Sequence, residues 1–93
     1  MTNYSNGAQF ERLAKKELEG QGYKVIRSAG SHSPFDLFAW DAYGFRLIQI
    51  KSSKQKRRFG KERLQLASLP VPSHTTRELW ARYKGRWTKI IVR

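Results

Sequence analysis

The sequence predicts an α/β domain: a mixed five-stranded sheet flanked by helices, in the order helix, three strands, helix, two strands. Three observations predict it. Apolar residues recur at helical spacing near the start of the chain, three short β-branched or aromatic runs follow between turn residues, and a basic stretch leads into a second short helix and a closing hairpin. Segments of both periods in one short chain call for a sheet with helices packed against it. The 93 residues make one domain, 1–93, with a small core.

Each element has its own signal. Phe10, Leu13, Ala14 and Leu18 share a helical face between Gly7 and Gly20, with Lys15, Lys16 and Glu19 on the other. Ser5 or Asn6 can cap the start, and Gly20 and Gly22 stop the helix. Tyr23 to Ser28 is the first strand, its bulk supplied by Val25 and Ile26, and the small, polar residues Ala29 to Pro34 form a loop. Asp36 to Trp40 and Phe45 to Lys51 are a strand pair around the turn Asp41 to Gly44. Ser52 to Gly60 is a basic loop without apolar periodicity. A helix over Lys61 to Leu69 brings Leu64, Ala67 and Leu66 to the core and ends before Pro70 and Pro72. Arg77 to Tyr83 and Arg86 to Val92 flank Lys84-Gly85 as a closing hairpin. Its residues Leu79, Trp80, Tyr83 and Trp87 are candidates for a subunit contact, and the three tryptophans read as packing residues rather than base-stacking ones.

Charge narrows the function. Nineteen Lys and Arg against seven Asp and Glu leave a net charge of +12. The cations crowd into Lys51 to Arg63 and Arg77 to Arg93, while beyond Asp41 the only acids are Glu62 and Glu78. A field of that sign and strength calls for a polyanion, and nucleic acid is the usual one. In the basic loop, Lys54, Lys56, Arg57 and Arg58 are candidate phosphate contacts. Without cysteine there is neither a disulfide nor a thiolate metal site. No run approaches the roughly 20 apolar residues of a membrane span, and the first residues have no apolar signal region, so a soluble, cytoplasmic protein is expected.

A set of polar residues stands out against this background. Glu11 lies beside the apolar stripe of the first helix, Asp36 opens the second strand, and Gln49 and Lys51 share one face of the third. Brought together, they offer two carboxylates, an amide oxygen and an ammonium. Such oxygens suit Mg²⁺, which binds hydrated through one or two carboxylates plus a substrate phosphate. Lys51 can then orient a water or neutralise developing charge. Singly, each residue also has a plain reading: Glu11 as a solvated helix carboxylate, Asp36 as a strand opener, Gln49 and Lys51 as edge-strand surface. His32, in the loop beside them, reads first as an exposed residue.

The blocks Gly7-Ala8-Gln9-Phe10-Glu11-Arg12, Gly22 to Ser31, Phe35-Asp36-Leu37 and Ile48-Gln49-Ile50-Lys51 resemble, in order, those of the archaeal-type Holliday junction resolvases of the PD-(D/E)XK group. The resemblance covers about residues 6 to 54. It implies a restriction-endonuclease-like core and Mg²⁺-dependent cleavage of branched DNA by a homodimer. It also implies Glu11 and Asp36 as metal ligands together with the Ile50 carbonyl, and Lys51 as the catalytic lysine. Arg12 and Arg27 would lie near the scissile phosphate, and Ser31 in a loop that touches DNA. The pattern's carboxylate two residues before the lysine is Gln49 here, which keeps an oxygen donor and loses a charge. Mn²⁺, more tolerant of mixed ligands, is expected to substitute for Mg²⁺. The alternatives are a weakly active or inactive DNA-binding module of the same fold, and an unrelated RNA-binding domain.

Overall fold

The computed structural model describes residues 3–28, 33–52 and 59–93. The elements run α1 (Asn3–Gly20), β1 (Lys24–Arg27), β2 (Leu37–Trp40), β3 (Phe45–Ser52), α2 (Gly60–Ala67), β4 (Thr75–Tyr83) and β5 (Arg86–Val92). The expected order holds. The sheet order is β1-β2-β3-β4-β5, antiparallel except for the parallel β3–β4 pair. A parallel pair needs a crossover, and α2 belongs to it.

Strand alternation sorts the core into two layers. On one face Ala14 and Leu18 of α1 pack on Leu37, Ala39, Ile48, Ile50 and Trp80, with Phe10, Val25 and Trp87 at the margin. On the other face Leu66 of α2 packs with Phe59, Leu79, Ala81 and Val92. Central strands β3 and β4 are therefore buried on both sides over Leu47 to Ile50 and Glu78 to Ala81. Arg77 Nη1 donates to the carbonyls of Ala67 and Leu69 at 2.8 and 2.9 Å, satisfying backbone acceptors at the end of α2.

Several boundaries differ from the sequence reading. Helix α1 begins at Asn3, ahead of Gly7, and β4 begins at Thr75, ahead of Arg77, because its first residues pair in parallel with Phe45 and Arg46. Leu13 is 41% exposed, since the buried stripe is the i, i+4, i+8 row of Phe10, Ala14 and Leu18. Leu64, expected in the core, is 73% exposed. Helix α2 has a single buried residue, Leu66, and that contact sets the helix rotation and turns Leu64 to solvent. Leu79 and Trp80 are wholly buried within the chain, so neither can form a subunit contact.

At the end of the sheet where β3 starts, a polar network replaces apolar packing. Glu78 is buried and accepts from Arg46 Nε and Nη2 at 2.7 and 2.8 Å, from the Thr76 hydroxyl at 2.6 Å and from Trp80 Nε1 at 3.0 Å. The Arg46 guanidinium also lies 4.9 Å from the centre of the Tyr23 ring. Burial alone would raise the Glu78 carboxyl, but the Arg46, Thr76 and Trp80 hydrogen bonds outweigh it and hold the pKa below the ordinary value. Nearby, the Phe45 amide donates to the His74 carbonyl at 2.9 Å. A β-carbon on Gly44 would collide with that carbonyl oxygen, so only glycine fits.

Candidate active site

The other end of the sheet gathers most of the residues expected to carry chemistry. Strand β2 runs into this end through Asp36, whose amide donates to the Ile48 carbonyl and whose carbonyl accepts from Ser28, both at 2.8 Å. Asp36 therefore bridges β1 and β3 just before the first residue of β2. Its Oδ2 accepts the Ile50 amide at 2.7 Å, which locks the carboxylate against β3. In a strand a residue's N–H and C=O point to the same neighbour, so the Ile50 carbonyl also faces the Asp36 side.

Alternation places Leu47, Gln49 and Lys51 on the face opposite Ile48 and Ile50. Gln49 is only 9% exposed, and its buried Oε1 has no hydrogen-bond partner among the described residues. An orphaned buried acceptor is costly and calls for a missing donor or cation. Lys51 follows on the same face, half-buried.

Burial raises the Asp36 pKa above the ordinary carboxylate value, opposed by the Ile50 amide and by the charges of Lys51 and Arg27. Those two cations therefore lie within electrostatic reach of Asp36. Arg27, at the end of β1, donates from Nε to Glu11 Oε1 at 3.0 Å, with Nη2 also 3.0 Å from that oxygen. Glu11 thus meets the site through Arg27. Arg12, the next residue of α1, is exposed. Ser31, His32, Lys54, Lys56, Arg57 and Arg58 lie outside the described residues.

A divalent cation fits this donor set. The carboxylate of Asp36, the orphaned amide oxygen of Gln49 and the Ile50 carbonyl are all hard oxygen donors. The charge is thin, however: no group of three or more His, Cys, Asp or Glu side chains able to hold a metal occurs among the described residues.

A further basic element, outside the residues expected to form the site, lies at this same end: the tip of the β4–β5 hairpin. Lys51 is in register with Ala81 and Ser52 with Arg82, so Tyr83, Lys84, Gly85 and Arg86 extend past the site. The signal was the alternation of cations and aromatics in Arg82-Tyr83-Lys84-Gly85-Arg86-Trp87. Among the described helices, none is long and apolar enough to cross a membrane.

A family model described as archaeal Holliday junction resolvase (Hjc) matches residues 2–76. Among solved structures, the chain is similar to Archaeoglobus fulgidus Hjc, a Holliday junction resolvase from an archaeal hyperthermophile. The two share 23% sequence identity at a TM-score of 0.77, over 94% of this chain and 73% of that one.

Proposed function

The chain belongs to the archaeal Holliday junction resolvase family, and on that premise we propose that it is a Mg²⁺-dependent endonuclease that hydrolyses DNA phosphodiester bonds at branched DNA such as Holliday junctions. The observation that supports the reading is the hydrogen bond from the Ile50 amide to Asp36, which ties that carboxylate to the strand bearing Gln49 and Lys51.

Asp36, Gln49 and the Ile50 carbonyl would hold the cation. A bound Mg²⁺ supplies polarisation of the scissile phosphate and activation of a water. Lys51, on the face of Gln49, orients the attacking water and offsets charge that develops on the phosphate. Arg27, held by Glu11, presents a guanidinium to the same phosphate, and exposed Arg12 adds a second cation beside it. Ser31, Lys54, Lys56, Arg57 and Arg58 contact the flanking DNA. Two copies related by a twofold axis make the paired incisions that a junction requires, through surface other than Leu79 and Trp80.

A second reading is a structure-specific DNA-binding module of the same fold with weak or no catalysis. Its support is that Asp36 is the lone carboxylate among the three proposed ligands. One assay separates the two: incubation with a four-way junction, linear duplex, flap and single-stranded DNA, with Mg²⁺, Mn²⁺ or EDTA. Metal-dependent cutting of the junction supports the enzyme. Tight junction binding without cutting under any metal condition supports the module.

A further inference from the structure

We propose that the tip of the β4–β5 hairpin, carrying Arg82, Lys84 and Arg86, is a separate clamp for the phosphate backbone of a duplex arm beside the candidate cleavage site. The inference rests on the DNA-binding reading above. It concerns a segment beyond the residues matched by the family model, which end at 76.

The first observation is position. Lys51 is in register with Ala81, so Lys84, in the turn just past the end of β4, stands three residues beyond that partner. At about 3.3 Å per residue, that is roughly 10 Å past Lys51, on a strand about 4.8 Å to the side. A separation of this size falls within the span of one DNA groove, about 6 Å for the minor and 12 Å for the major. A backbone at Lys51 would therefore have its neighbouring phosphates beside the hairpin.

The second is charge. No Asp or Glu follows Glu78 in the chain, and among the described residues no carboxylate pairs with Arg82, Lys84 or Arg86. The cations are nevertheless supported: Arg82 lies over the Trp87 ring at 4.9 Å and Lys84 over the Tyr83 ring at 5.4 Å. Stacking steadies the side chains and leaves their positive ends for an anion. It also covers the two rings, which favours phosphate contacts over base stacking.

The third is backbone conformation. Tyr83 pairs with Arg86 across a two-residue loop in which Lys84 has φ 50° and Gly85 has φ 73°. This is the sign pattern of a type I′ turn, whose first position favours Asn, Asp or Gly. Lysine there is conformationally poor, so the fold does not account for its presence. A role for its charge does.

The test measures binding of the full-length chain to a fluorescent four-way junction, a linear duplex and single-stranded DNA, in EDTA over a series of salt concentrations. Lys84→Asn removes the charge while installing the residue the turn prefers, so it melts at or above the wild-type temperature. It is expected to flatten the slope of log K against log salt on duplex and junction by about 0.9, and Lys84→Asn/Arg86→Thr by about 1.8, for all sequences alike. Unchanged slopes beside a wild type that binds would overturn the clamp alone. Losses confined to single-stranded DNA would also overturn it. A wild type that binds none of the three overturns the DNA-binding reading together with the clamp.

Discussion

The Ile50 amide donates to Asp36 Oδ2 at 2.7 Å, so the candidate metal-binding carboxylate is anchored to the strand that also carries Gln49 and Lys51. The site's geometry is thereby set within the β2–β3 pair. A ligand held by a backbone donor keeps its orientation without a second side chain.

Replacing Asp36 by Asn is expected to abolish cleavage and leave junction binding near wild type. The stability effect has a definite sign. Burial raises the folded-state pKa, so the group's contribution is fully present below the unfolded pKa and is lost as pH rises through the folded one. At pH 7 the ionised form carries a penalty that Asn lacks, while Asn can still accept from Ile50. Asp36→Asn should therefore melt no lower than wild type at pH 7. Undiminished cutting by this variant would remove Asp36 from the site.

Gln49→Glu restores a carboxylate next to the Ile50 carbonyl. It should lower the metal concentration needed for half-maximal cleavage and leave DNA affinity in EDTA unchanged. With wild type, Mn²⁺ should outperform Mg²⁺. Lower activity in Gln49→Glu would mean that the amide donates a hydrogen bond a carboxylate cannot replace.

The Glu11–Arg27 pair is predicted to act as one unit. Glu11→Gln and Arg27→Gln should each slow single-turnover cleavage roughly 10- to 100-fold, and the double variant should be no slower than the worse single. Because the Arg27 side chain is 47% exposed, stability should change by no more than about 1 kcal/mol. Losses that multiply in the double variant would show separate roles, with Glu11 acting on the metal or substrate directly.

Arg46→Ala strands the buried Glu78 carboxylate and should cost about 3 to 5 kcal/mol. Since the folded pKa of Glu78 is depressed, its stabilising contribution is present above the unfolded value and lost as pH falls through the folded one. The difference in stability between wild type and Glu78→Gln should accordingly shrink on acidification through the carboxylate range. Denaturant melts at neutral and acid pH measure both effects, and a pH-independent difference would contradict the assignment.

Much of this was legible in the sequence because it depends on short-range pattern. Period-two runs located β2 and β3, and the two-residue spacing of Gln49 and Lys51 put them on one face. Residues whose partners come from distant segments were not. Arg46 and Glu78 meet across the parallel β3–β4 pair, and Leu64 faces solvent because α2 turns Leu66 and Ala67 toward Phe59 and Leu79. The pairing of Glu11 Oε1 with Arg27, sixteen residues away, is also invisible to spacing. The orphaned Gln49 oxygen is likewise a property of packing, which no spacing reveals.

The glycine at position 44 acts at a distance. Its contact with the His74 carbonyl fixes where β4 begins alongside β3, and in a parallel pair the starting point sets every later register, including Lys51 with Ala81. A slip of one residue would also turn the side chains of β4 to the opposite face. The reach between Lys51 and Lys84 is thus gauged from the far end of the molecule. A side chain at position 44 would therefore disturb the spacing between the proposed site and the proposed clamp while touching neither.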